Sequence, residues 1–231
     1  MLRSFVLFTL IWLALTSVCA ALPDVGVTSL RPGTLSELQD LLNNRADVNQ
    51  FRLRGPFAVA VKKNYEVRLS ASERINTDLY LSAPAEQAPL VVILHGYASS
   101  KEAHSYQAMH LASWGMHSLV LQLPNKMQWV GNGRTMAKLV RFIYRLPKVI
   151  DGRIDVNKII LVGHSFGATA VAIALAEGAP AAGGILLDPA TINRDLPKYL
   201  RQIKKPILLL GADERVYSAR NRGYFYQYIR S

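Results

Sequence analysis

The sequence predicts an α/β fold: a mostly parallel, twisted sheet with helices on both faces. Three observations carry this. Continuous aliphatic runs recur at residues 90–94, 118–123, 159–162, 184–187 and 207–210, the texture of strands buried on both faces. Helix-like segments separate them at residues 105–113, 135–145 and 166–177. Strand and helix in alternation imply crossover connections, which only a parallel sheet covered on both sides accommodates.

The bulk numbers suit one such domain. A chain of 231 residues can bury one sizeable core. Half of its residues are hydrophobic and 19% are charged, which excludes a disordered or fibrous chain. The domain is expected over residues 57–231, behind a leading arm at 21–56 and a distinct segment at 1–20.

That first segment reads as a secretory signal peptide. Arg3 precedes an apolar run over residues 5–15, and small residues lead to Val18-Cys19-Ala20, with cleavage expected after Ala20. The run is short for a membrane span, so an uncleaved N-terminal anchor is the alternative reading. Export to the periplasm or outside the cell follows. Cys19 is the single cysteine. The mature chain would therefore hold no disulfide, and thiol catalysis and thiolate metal sites are excluded.

The formal charge is +11, and its lysines and arginines are scattered rather than blocked. It serves solubility, or attraction to an anionic membrane or envelope polymer. No binding motif accompanies it, so nucleic acid is not an expected partner.

Along the arm, residues 35–43 suggest a short helix opening near Thr34 or Ser36. Strand patterns follow at 57–61, 65–69 and 77–81, giving the sheet an antiparallel start. Beyond Pro84 and Pro89 the buried runs begin, the first of them ending in His95-Gly96. Gly178 closes the helix at 166–177 as a natural C-cap.

Chemistry concentrates at two strand ends. Gly163-His164-Ser165-Phe166-Gly167 places G-x-S-x-G between a buried strand and an alanine-rich helix. A nucleophilic serine needs such a tight turn to lift its hydroxyl off the sheet edge, and small flanking residues keep the backbones from colliding. The helix start offers free N–H groups to an oxyanion. The second place is His95-Gly96-Tyr97, a strand emptying into a glycine turn. We expect the backbone N–H groups of Tyr97 and Phe166 to form the oxyanion hole, His95 and His164 to be structural, and Tyr97 and Trp129 to line the substrate site or to join the core.

Together the strand-HGY, GHSFG and ILLDP segments resemble the α/β-hydrolase superfamily over residues 57–226. Within it, residues 163–188 are similar to platelet-activating-factor acetylhydrolases and chlorophyllases, and the cutinase-like polyester esterases are close in layout. The resemblance implies an α/β-hydrolase fold and an esterase or lipase acting on an ester or lipid substrate through an acyl-enzyme on Ser165, without metal or organic cofactor. The segment between residues 187 and 207 is too short for a separate lid domain, so an open site is expected. The triad acid is Asp188, which matches the acetylhydrolase pattern; Asp213 and Glu214 after the next strand are the alternatives.

The family order is Ser, acid, His, with the histidine after the final strand. Here all five histidines, His95, His104, His110, His117 and His164, precede Ser165. The base histidine is thus absent from this chain, which suggests truncation at the C-terminus with the final strand and helix missing. Weak activity is expected, with His104 the only substitute base. The alternative is a non-catalytic pseudoenzyme or inactive fragment that binds an acyl or lipid ligand.

Overall fold

Seven strands form one sheet in the computed structural model, which describes residues 48–83, 87–124, 128–190, 195–211, 226 and 229. Strands β1 (Val59–Arg68) and β2 (Arg74–Ser82) form an antiparallel ribbon. Next come β3 (Ala88–Leu94), β4 (His117–Gln122), β5 (Ile154–His164), β6 (Gly183–Leu187) and β7 (Ile207–Leu210). The spatial order is β1-β2-β4-β3-β5-β6-β7. β2 meets β4 antiparallel, and all later pairings are parallel.

The aliphatic runs are buried because helices cover both faces. Helix α1 (Ser105–Ser113) lies on one face; α2 (Trp129–Arg145) and α3 (Phe166–Ala176) lie on the other, joined by the short α4 (Leu196–Leu200). Alternation along β3 sorts the core. Leu90, Val92 and Leu94 join the α2 and α3 layer, whereas Val91 and Ile93 join the α1 layer. Helix α3 ends in a Schellman arrangement at Gly178, φ 74°: its N–H donates to Leu175 O at 3.0 Å, and Ala179 N–H donates to Ala174 O at 3.0 Å.

Two expectations change in detail. The segments expected at 57–61 and 65–69 are one strand, β1, whose register shifts between Lys62 and Tyr65. Asn64 sits there at φ 52°, its N–H bonded at 2.9 Å to Asp78 Oδ1. This bulge absorbs the polar interruption. The helix expected from residue 135 begins at Trp129. Packing overrides the low propensity of Gly131 and Gly133: a Cβ on Gly133 would meet Ala170 O at 2.7 Å, so glycine lets α2 and α3 approach closely.

The described end of the leading arm is docked. Phe51 packs on Trp114 with ring centroids 4.8 Å apart, and Trp114 Nε1–H donates to Leu53 O at 3.1 Å. Gly55 N–H donates to Ser113 Oγ at 2.9 Å. The signal peptide at 1–20, the helix at 35–43, and Asp213 and Glu214 lie outside the described residues.

Candidate active site

β5 hands the chain to α3 through a single residue, Ser165, at φ 54° and ψ −122°. An L-residue in that region stores about 1–3 kcal/mol of strain, held only where neighbours over-determine it. Here they do. Ser165 N–H donates to Leu187 O at 2.9 Å, while Ser165 O accepts from Ala168 N–H at 3.0 Å and Ala190 N–H at 3.2 Å.

The flanking glycines are dictated by the same bend. A Cβ on Gly163 would lie 2.3 Å from Gly167 O, and one on Gly167 would lie 2.5 Å from both Leu94 O and His95 O. No side chain fits at either position. The loop after β3 closes over the bend, since a Cβ on Gly96 would fall 3.0 Å from Ser165 Cβ. The two loops expected to cooperate are therefore in contact.

Tyr97 is 56% exposed beside this bend, with its ring edge-on to Phe166 at a 6.3 Å centroid separation. Trp129, by contrast, is buried and stacks on Phe166 at 5.5 Å. It supports the start of α3 from beneath and presents almost no surface to a ligand. Phe166 opens α3, where its N–H has no acceptor within the helix.

Asp188 follows β6 at φ 42°, its N–H donating to Leu210 O at 2.6 Å. Its carboxylate lies near enough to His164 to favour the imidazolium, opposing a larger effect of burial that holds His164 below the ordinary histidine value. Two residues on, Ala190 O accepts from Thr169 Oγ1, which also contacts the Tyr226 hydroxyl at 3.0 Å. Burial raises the pKa of that phenol, so Tyr226 stays neutral and its hydroxyl joins the C-terminal segment to Thr169 of α3.

The histidines behind the loops divide by their partners. His95 is fully buried, with Nδ1 2.8 Å from Gly96 O and Nε2 3.2 Å from Leu123 O, so its ring braces the glycine turn. His104 is buried with its ring centroid 6.1 Å from that of His164, and neither nitrogen has a well-formed hydrogen bond among the described residues. Burial pushes it down to about 4; the neighbouring His164 adds to the fall, and Gln107 pulls weakly upward. Near neutral pH it is an uncharged imidazole.

Sequence reasoning missed a polar network behind the glycine loop. Buried Asp78 bonds Lys63 Nζ at 2.7 Å and the buried Lys101 Nζ at 2.9 Å. Lys101 N–H donates to Gln122 Oε1 at 3.0 Å, and Gln122 Nε2 lies 3.1 Å from His95 Nε2. The chain of contacts ties the β1 bulge to the loop that faces Ser165. Among the described residues, no three His, Cys, Asp or Glu side chains come together to hold a metal ion.

A sheet of this order, with a serine on a strained strand-to-helix bend under a glycine loop, defines the hydrolase class. The chain belongs to the alpha/beta hydrolase family, whose family model matches residues 91–229. A search of curated proteins found no match.

Proposed function

We propose that the protein is a serine hydrolase that cleaves carboxylic esters through an acyl-enzyme on Ser165. The observation that carries this reading is Ser165 at φ 54° on a bend touching the Gly96 loop. In this reading Ser165 Oγ attacks the ester carbonyl, and the oxyanion is held by the N–H groups of Tyr97 and Phe166. The C–O bond to the alcohol breaks, the serine proton passes to the leaving alkoxide, and water then releases the acid. Asp188 is the triad acid. The substrate is an exposed or bulky ester of the kind taken by acetylhydrolases, chlorophyllases or cutinase-like esterases. The chemistry requires no metal or organic cofactor.

The proton needs a relay, and no histidine follows His164. A serine of this kind acting without a relay histidine turns over at least about 10³-fold more slowly than a complete triad. His104 is the remaining candidate base, weakened by its low affinity for protons. The second reading is a non-catalytic binder of acyl or lipid ligands. Residues 1–20 are proposed to export the protein, and a processed form beginning at Ala21 would support this.

A fluorophosphonate probe on purified protein, followed by peptide mapping, tests the function. Labelling at Ser165 that Ser165→Ala abolishes, with loss of slow chromogenic-ester hydrolysis, supports the hydrolase. Absent labelling, with hydrolysis unchanged in Ser165→Ala, overturns it in favour of the binder.

A further inference from the structure

The edge of the sheet opposite Ser165 carries its own surface. Parallel strands end at the candidate site, so the connections entering β4, β5 and β7 lie at the far edge. Two of the most exposed large apolar side chains stand there, Leu53 at 63% and Leu146 at 53%. Leu53 is fixed from the α1 layer, its carbonyl accepting from Trp114, which caps α1 just before β4. Leu146 caps α2 on the other layer, just before the turn that leads into β5.

Each leucine is flanked by exposed cations. Arg52 and Arg54 bracket Leu53, and Arg145 and Lys148 neighbour Leu146. Lys204 and Lys205 are exposed on the entry to β7. None of these six has an acidic partner among the described residues, whereas the acids nearby are already satisfied, Asp151 by Arg153 at 2.8 Å and Asp155 by Lys158 at 3.0 Å. Unneutralised cations around protruding aliphatic side chains are what an anionic bilayer surface accepts: the charges stay at the headgroups while the apolar tips enter the acyl boundary. A soluble polyanion would use the charges and leave the leucines idle.

We propose that this edge docks the protein on anionic lipid bilayers, with the Ser165 edge turned away from the membrane. Docking is independent of the hydrolase reading and does not need Ser165.

The test is binding of the purified full chain to vesicles of phosphatidylglycerol and phosphatidylcholine, scored as the increment over pure phosphatidylcholine. The quadruple variant R52E/R54E/R145E/K148E should lose at least about tenfold of that increment, since each basic residue near the surface contributes on the order of fivefold. A matched set of reversals elsewhere, R68E/R74E/K138E/K198E, should lose less than about threefold. L53S/L146S should weaken binding by about tenfold with an unchanged thermal midpoint. Equal losses in both charge-reversal sets would overturn the proposal in favour of diffuse attraction. Unchanged vesicle binding in L53S/L146S, together with equally strong binding to heparin, would assign the edge to a polyanion and overturn it as well.

Discussion

Trp129 and Phe166, the first residues of α2 and α3, stack with ring centroids 5.5 Å apart and planes inclined by 13°. The pair couples the opening turns of two helices at the residue that follows Ser165. Trp129→Ala removes a buried aromatic and leaves a void beneath Phe166. A loss of about 3–5 kcal/mol is expected, measurable as a thermal midpoint lowered by roughly 10 °C. Trp129→Phe should recover most of the loss, because it restores the stack and removes the indole N–H, which is buried without an acceptor among the described residues.

Gly163 at the bend and Gly131 on α2 should respond oppositely to alanine. At Gly163 the new Cβ would lie 2.3 Å from a carbonyl oxygen of the elbow, so Gly163→Ala must displace Ser165 or unfold the turn. We expect at least about 3 kcal/mol of destabilisation and no serine labelling in any protein that folds. A Cβ on Gly131 meets nothing within 4 Å on the exposed side of α2. Gly131→Ala should therefore stabilise by about 0.5–1 kcal/mol, and urea unfolding of the two variants measures the contrast.

The parallel strands were legible because burial on both faces leaves an unbroken aliphatic signature, as at residues 90–94. The bend was legible because Gly163 and Gly167 are steric requirements of Ser165's conformation. What escaped was long-range. The start of α2 was hidden because Gly131 and Gly133 read as helix-breaking, while the close contact with α3 that Gly133 permits is invisible in sequence. Asp78 escaped for a related reason. A carboxylate in a strand reads as solvent-facing, and only the fold brings Lys63 and Lys101 to it.

That buried ion pair should be costly to break from one side. Burial alone would raise the Asp78 carboxyl, but hydrogen bonds from Lys63, the Asn64 N–H and Lys101 hold it below the ordinary carboxylate value. Asp78→Ala leaves the Lys101 ammonium, whose side chain is only 5% exposed, with Glu102 at 2.5 Å as its one carboxylate among the described residues. A loss of about 3–5 kcal/mol is expected, and the double variant Asp78→Leu/Lys101→Met should regain much of it by removing both charges. A double-mutant cycle in urea measures the coupling; additive single losses would contradict it.

Acid should unfold the protein earlier than its carboxylates alone require. Burial holds His104 and His117 down to about 4, against an ordinary 6.5. For His117, Asp151 opposes the fall and Arg153 adds to it. Both imidazoles are neutral in the native state, and both take up protons on unfolding between pH 6.5 and about 4. The unfolded chain therefore binds more protons throughout that window, and stability drops as pH falls through it; above pH 6.5 the contribution is fully present. Each histidine accounts for roughly 3 kcal/mol across the window. His117 Nδ1 accepts the Ser82 N–H at 3.1 Å while its Nε2 has no partner among the described residues. Asparagine places an acceptor near the Nδ1 position and does not titrate, so His117→Asn should remove about half of the histidine-dependent slope of urea midpoint against pH. A slope unchanged in that variant would show that His117 takes up its proton at the same pH in the folded and the unfolded protein.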